Sequence, residues 1–212
     1  VVGGTHGHSY ILLQKSEVEG FRKQAKFHKE KVCFLLDTFN SKNAIEHTIE
    51  IIKELNLNHF GFRIDSGDLL VEAQNVHRAM KKSGFERSQY TLFASDDLTA
   101  SRIRDLEDNG ADIDKYLAGT FIANNPKTPG FVYKLTSKEL PNGAWEATAK
   151  YSSNIAKGTL PNNIQVYRVI GSDGFYKKDF IGLVDEDMSH IASYEDGEIV
   201  ERLLIPIVLG GK

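Results

Sequence analysis

Cysteine is almost absent from this chain of 212 residues, where Cys33 stands alone. An intramolecular disulfide is excluded, and the usage suits a reducing cytosol. Long apolar runs are missing as well. The longest are strand-sized, so neither a membrane span nor a signal peptide is expected, and a cytoplasmic protein is. Nor is there an excess of positive charge, and a net charge of −3 argues against electrostatic binding of nucleic acid. The basic stretch from Arg22 to Lys31 alternates with apolar positions and reads as the solvated face of a helix. Internal repeats and low-complexity linkers are lacking too. What is there is an ordinary hydrophobic content of 41%, enough at this length to bury a real core.

The chain is punctuated by short apolar stretches that end abruptly in polar residues. Val32-Cys33-Phe34-Leu35-Leu36 runs into Asp37-Thr38, and Gly61-Phe62-Arg63-Ile64 into Asp65-Ser66-Gly67-Asp68. Tyr90 to Ala94 runs into Ser95-Asp96-Asp97, and Tyr116-Leu117-Ala118 into Gly119-Thr120. Asp37, Asp65, Ser95 and Gly119 follow one another at intervals of 28, 30 and 24 residues, about one βα unit each. Helical patterns fill the gaps. Asn43 to Leu55 carries Ile45, Ile49, Ile51 and Ile52; Leu69 to Lys82 carries Val71, Val76 and Met80; Leu98 to Asp108 carries Ile103 and Leu106. Ser16 with Glu19 makes a capping box ahead of Phe21, Ala25 and Phe27. Alternation of strand and helix predicts a parallel sheet, and such sheets collect ligands at the carboxyl ends of their strands.

The segment around Asp65 has the chemistry for a sugar phosphate held with a metal ion. Arg63 offers a planar fork for phosphate or carboxylate, Asp65 and Asp68 suit Mg²⁺ or ribose hydroxyls, and Gly67 allows close backbone approach. The competing reading is a strand end followed by a helix cap, with Asp68 or Ser66 capping. A second polar concentration, Gly3-Gly4-Thr5-His6-Gly7-His8-Ser9, places two histidines in a glycine-rich loop. Either could act as base, nucleophile or ligand, or simply be hydrogen-bonded in place, and their spacing without a nearby third ligand argues against zinc. From Phe131 onward the pattern changes to short strands, Phe131 to Leu135, Trp145 to Tyr151, Ile164 to Val169 and Phe180 to Val184. Asn142-Gly143, Asp173-Gly174 and Asp196-Gly197 serve as turn signals.

Taken in order, these pieces resemble the nicotinate phosphoribosyltransferases: Gly4-Thr5-His6-Gly7-His8-Ser9, Leu35-Leu36-Asp37-Thr38-Phe39, Gly61 to Leu69, Ala94-Ser95-Asp96-Asp97-Leu98, Gly119-Thr120, Val132-Tyr133-Lys134-Leu135 and Gln165-Val166-Tyr167-Arg168. The resemblance runs through nearly the whole chain, which looks like the later part of such an enzyme. It implies an α/β fold, a partial TIM-like barrel of the type II phosphoribosyltransferase kind over residues 1–130, with a β-rich segment over 131–212 packed on it.

The implied reaction joins nicotinate to phosphoribosyl pyrophosphate, giving nicotinate mononucleotide and pyrophosphate with coupled ATP hydrolysis, in NAD biosynthesis and salvage. His8 matches the family's transiently phosphorylated histidine, and Asp37 and Asp65 match carboxylates near Mg²⁺. Arg63 matches the arginine beside base and phosphates, which makes His8, Arg63 and Asp65 the implied catalytic set. Thr5, Ser66, Gly67, Asp68, Ser95, Asp97, Gly119 and Thr120 complete the implied phosphoribosyl cradle. Mg²⁺, ATP and a homodimer follow from the same resemblance. Nicotinamide phosphoribosyltransferases usually have proline after the arginine and asparagine after Ser-Gly, so Ile64 and Asp68 favour the nicotinate branch. Quinolinate phosphoribosyltransferases lack the histidine loop. A truncated, catalytically silent paralogue that binds a nucleotide or a partner subunit is the alternative of another class.

Overall fold

The four polar-ended apolar stretches form one parallel sheet. In the computed structural model, which describes residues 5–123, 133–151, 158–187 and 199–202, β1 (Cys33–Leu35), β2 (Phe60–Ile64), β3 (Tyr90–Ala94) and β4 (Lys115–Tyr116) pair in sequential order. Between them run α3 (Ser41–Glu54), α4 (Leu69–Lys82) and α5 (Ala100–Asp108); α1 (His8–Leu13) and α2 (Glu17–His28) precede the sheet, and the short α6 (Gly119–Ala123) follows it. Sequential order with a helix in each crossover is the arrangement of a barrel segment. Closure of the barrel is not seen among the described residues.

Strand register decides which side chains meet. Cys33 pairs with Gly61, Phe34 with Phe62 and Leu35 with Arg63; Phe62 pairs with Leu92 and Arg63 with Phe93. Successive strand residues point to opposite faces, so Phe34, Phe62 and Leu92 share one face, where they meet the apolar faces of the helices. All three are fully buried in one core with Phe21, Ile45, Ile52, Val76 and Met80. Cys33, Leu35, Gly61, Arg63 and Phe93 share the other face. A Cβ added at Gly61 would come within 3.2 Å of the Phe93 ring and 3.4 Å of Cys33, so glycine is needed there for packing.

Caps set the helix starts. Asp68 Oδ1 accepts from Leu70 N and Val71 N, Asn40 Oδ1 from Asn43 N, and Thr99 Oγ1 from Arg102 N; such a cap contributes about 1 kcal/mol. At α2 the Ser16 hydroxyl accepts from Glu19 N, but the Glu19 carboxylate pairs with Lys23 one turn on, so half of the expected capping box forms. Two apolar residues assigned to buried stripes lie outside them. Phe27 is 81% exposed because it stands six residues from Phe21, away from the Phe21–Ala25 stripe, and Val71 is 46% exposed because the α4 stripe is Leu69, Ala73, Val76 and Met80.

The described residues fall into two compact units, those lying within 1–135 and 149–159 and those lying within 136–148 and 160–212. The second is antiparallel: β5 (Ser137–Glu139) pairs with β6 (Trp145–Ala147), and β7 (Ile164–Ile170) lies between β8 (Tyr176–Leu183) and β9 (Ile199–Arg202). Gly143 and Gly174 turn with φ of 80° and 78°, as their Asn-Gly and Asp-Gly pairs predict. The strand expected at Phe131 to Leu135 begins outside the described residues, and its described part, from Tyr133, is not strand. Gly3-Gly4, Val132 and Asp196-Gly197 also lie outside the described residues. No helix is long and apolar enough to cross a membrane among the described residues.

Candidate functional site

Alternation along the strands carries over into the loops that follow. Asp37, Asp65 and Ser95 are each two residues beyond a position on the Cys33–Arg63–Phe93 face, so all three project from the same rim of the parallel sheet. Leu36 N donates to Arg63 O at 3.0 Å and Ser95 N to Ile64 O at 3.0 Å, which extends the ladders to the residue before Asp37 and to Ser95 itself.

These side chains form one network. Arg63 Nε donates to Ser95 Oγ at 2.8 Å and Arg63 Nη2 to Asp65 Oδ1 at 3.2 Å, while the Ser95 hydroxyl donates to Asp65 Oδ1. Ser66 Oγ donates to Asp37 Oδ2 at 2.6 Å. From the glycine-rich loop, His8 reaches in at the start of α1. Its Nδ1 lies 3.1 Å from Thr38 Oγ1, and its Nε2 lies 3.3 Å from Asp65 Oδ2 and 3.8 Å from Asp37 Oδ2. Burial alone would push the Asp65 carboxyl up, but the His8 ring beside it, the Arg63 charge and the Ser95 hydroxyl together hold it well below the usual carboxylate range. Asp65 is an anion throughout the physiological range.

One member of the network had no local sequence signal. Lys150 lies 113 residues from Asp37, yet its ammonium donates to Asp37 Oδ2 at 2.9 Å and lies 3.0 Å from His8 Nε2. Its side chain is 3% exposed. Thr38, fully buried, belongs to the network through its hydroxyl as well.

The other expected residues are distributed unevenly. Gly67 adopts φ of 79°, and Asp96 and Asp97 adopt φ of 103° and 48°, a left-handed backbone that is costly away from glycine and is here braced by Arg102 on the Asp96 carbonyl at 2.6 Å. Asp68 caps α4, as the competing reading had it, and Asp97, Gly119 and Thr120 are exposed at the ends of β3 and β4. Thr5 Oγ1 lies 3.5 Å from the Cys33 carbonyl, apart from the network. His6 is buried; its Nε2 accepts from Leu35 N at 3.2 Å, and desolvation lowers its pKa to about 4. It is a neutral structural imidazole that ties the loop to β1.

His8, Asp37 and Asp65 present one ligand atom each within 4.8 Å of one another, a donor set suited to a divalent cation. Asp37 Oδ1 is buried with no hydrogen-bond partner among the described residues, which also suits a cation or a hydroxyl donor. The Lys150 ammonium, however, already stands beside two of the three atoms. A cavity of about 860 Å³ between α3 and α4 touches the network through Asp37 and Ser66 and is lined further by Phe39, Glu72, Arg78 and Tyr151.

Comparison with known proteins gives one consistent result. The chain is 34% identical over 194 residues to a nicotinate phosphoribosyltransferase of Bacillus subtilis, covering 89% of this chain and 39% of that protein. It is 30% identical over 176 residues to nicotinate phosphoribosyltransferase 2 of Arabidopsis thaliana, covering 76% of this chain and 30% of that one. A crystal structure of the Porphyromonas gingivalis nicotinate phosphoribosyltransferase superposes with a TM-score of 0.53 at 20% identity, over 74% of this chain and 44% of the other, which supports the fold. No family model matches. The chain spans roughly a third of the length of the curated relatives it matches.

Proposed function

Because this chain belongs to the nicotinate phosphoribosyltransferase family, we propose that it carries the phosphoribosyl-transfer rim of such an enzyme and forms nicotinate mononucleotide and pyrophosphate from nicotinate and phosphoribosyl pyrophosphate. The observation that carries this reading is the convergence of His8, Asp37, Arg63, Asp65 and Ser95 at the carboxyl ends of adjacent parallel strands.

Phosphoribosyl transfer passes through positive charge at the anomeric carbon as pyrophosphate departs. A site that promotes it needs an anion near the ribose and cations near the leaving group. Asp65, ionised and fixed by Arg63 and Ser95, supplies the anion. Arg63 spends Nε and Nη2 on that fixation, and its Nη1 makes no hydrogen bond among the described residues, so that edge is the one available to the base or a phosphate. The backbone at Ser66-Gly67 and Asp96-Asp97, in part left-handed, together with Gly119-Thr120 at the start of α6, is the proposed cradle for the 5′-phosphate, with Thr5 and Asp68 at its margin.

His8 is the proposed acceptor of a phosphoryl group from ATP, which couples ATP hydrolysis to transfer. Mg²⁺ is the proposed metal on Asp37 and Asp65; when bound it neutralises pyrophosphate charge. A homodimer in the cytoplasm is the proposed working form.

The test is mass-spectrometric detection of mononucleotide after incubation with phosphoribosyl pyrophosphate, Mg²⁺, ATP and equimolar nicotinate and nicotinamide. Nicotinate mononucleotide is the expected product. Nicotinamide mononucleotide would overturn the assigned base, and a folded chain that binds phosphoribosyl pyrophosphate without any product would mark a silent paralogue.

A further inference from the structure

We infer that Lys150 is a resident cation in the site formed by His8, Asp37 and Asp65, and that a divalent metal enters this site only when it arrives already chelated by a phosphate-bearing ligand that draws the ammonium away. The inference deepens the proposed function, since it concerns how that same site receives its metal.

Geometry leads to it. The Lys150 Nζ lies 2.9 Å from Asp37 Oδ2, a proposed metal ligand, and 3.0 Å from His8 Nε2, the proposed phosphoryl acceptor. A metal bound to Asp37 Oδ2 at about 2 Å would share that atom with the ammonium and stand within about 5 Å of it, and two positive centres so close repel by several kcal/mol at an effective dielectric of about 20. Burial of Lys150 and Asp37 leaves little water to screen that repulsion. Lysine therefore does here what a metal would do elsewhere, neutralising Asp37 and fixing His8. A polyphosphate carrying its own divalent ion changes the balance, because its oxygens offer the ammonium a new anionic partner while the ion takes over the carboxylate.

The ammonium also dictates how His8 carries its proton. An ammonium donates and cannot accept, so at 3.0 Å it requires the Nε2 lone pair. The proton then resides on Nδ1 and points to Thr38 Oγ1 at 3.1 Å. The longer 3.3 Å approach of Nε2 to Asp65 is the competing arrangement. Asp65 does not need it, having Arg63 and Ser95 as partners. Lys150 is thus a positioning residue for His8, and it keeps Nε2 as the nucleophilic nitrogen.

Two measurements on the whole chain, both without turnover, test this independently of the proposed reaction. The first needs no mutation. Nitrogen-15 NMR of the His8 ring at about pH 8, above the ordinary histidine range, is expected to show the proton on Nδ1; a proton on Nε2 overturns the inference. The second is Mn²⁺ binding followed by electron paramagnetic resonance. Lys150→Met should bind Mn²⁺ alone more tightly than the unmodified chain by on the order of tenfold or more, and adding Asp37→Asn should abolish the gain. In the unmodified chain inorganic pyrophosphate should promote Mn²⁺ binding. Equal Mn²⁺ affinity with and without Lys150 overturns the inference. Because neither readout uses nicotinate or product, mononucleotide formation can succeed while these fail, and the reverse.

Discussion

His8 and Asp65, 57 residues apart in the chain, meet with Nε2 and Oδ2 separated by 3.3 Å. One comes from a loop before the sheet and the other from the end of β2, so the contact exists only once the loop has closed over the strand ends. His6 makes that closure, through the hydrogen bond its buried ring accepts from Leu35 N. The two histidines of one short loop have therefore divided the work: His6 holds the loop and His8 faces the site.

Replacing Asp65 by Asn keeps the shape of the network and removes its charge. Mononucleotide formation should fall on the order of a hundredfold, the loss typical of one electrostatic contact to a transition state. The circular-dichroism spectrum should remain that of a folded α/β chain. Turnover equal to that of the unmodified chain would remove Asp65 from the site.

His8→Ala should abolish stimulation by ATP and leave slow, ATP-independent transfer. Steady-state rates with and without ATP read this directly. An intact ratio of the two rates would show that no phosphoryl group passes through His8, whatever happens to the absolute rate.

Asp68 has two candidate duties that a pair of substitutions separates. As the α4 cap it accepts from Leu70 N and Val71 N. Asp68→Ala should lower stability by about 1 kcal/mol, whereas Asp68→Ser, which can still cap, should lower it little. Were Asp68 also to touch the sugar phosphate, both variants would raise KM for phosphoribosyl pyrophosphate. A KM that moves in neither variant would leave the residue a cap alone.

Stability should depend on His6 in mild acid. Burial lowers its folded pKa to about 4 from an ordinary 6.5, so between those values the unfolded chain binds a proton that the folded chain refuses. Stability is then greatest above about pH 6.5 and declines as pH falls toward 4, by about 3 kcal/mol over the window. Asp65 adds its own loss lower, below its ordinary value of 3.8. Urea denaturation across this range measures the slope. His6→Gln, whose side chain does not titrate, should lack the His6 part, and an unchanged slope in that variant would assign the effect to other groups.

Local signals in the sequence were enough for the βα rhythm. The α4 bounds Leu69–Lys82 and the β3 bounds Tyr90–Ala94 match those read from apolar spacing, because caps and stripes agree there. The rim was legible for the same reason, since strand ends fix Asp37, Asp65 and Ser95 on one side of a parallel sheet. Lys150 was not legible: its partners Asp37 and His8 are 113 and 142 residues away, and nothing in Ala147-Thr148-Ala149-Lys150 distinguishes a buried lysine from a solvated one. Phe27 and Val71 failed in the opposite direction, as apolar residues beside a stripe but not on it.

Cys33 offers the simplest check on how the first unit is packed. It lies in β1 on the face shared with Gly61 and Arg63, where a Cβ at Gly61 would already touch its sulfur at 3.4 Å. Burial pushes its thiol up to about 12, against weaker opposing effects from Thr5 and the Arg63 and Lys115 charges. At neutral pH the group is therefore both protonated and sheltered, which removes thiolate and access together. The folded chain should react with a disulfide reagent such as dithionitrobenzoate only at the rate at which it opens, and one equivalent of thiol should be released promptly in denaturant. Prompt reaction of the native chain would mean that the β1–β2 face is open to solvent, and the network that depends on the register of Leu35 with Arg63 would not be held as described.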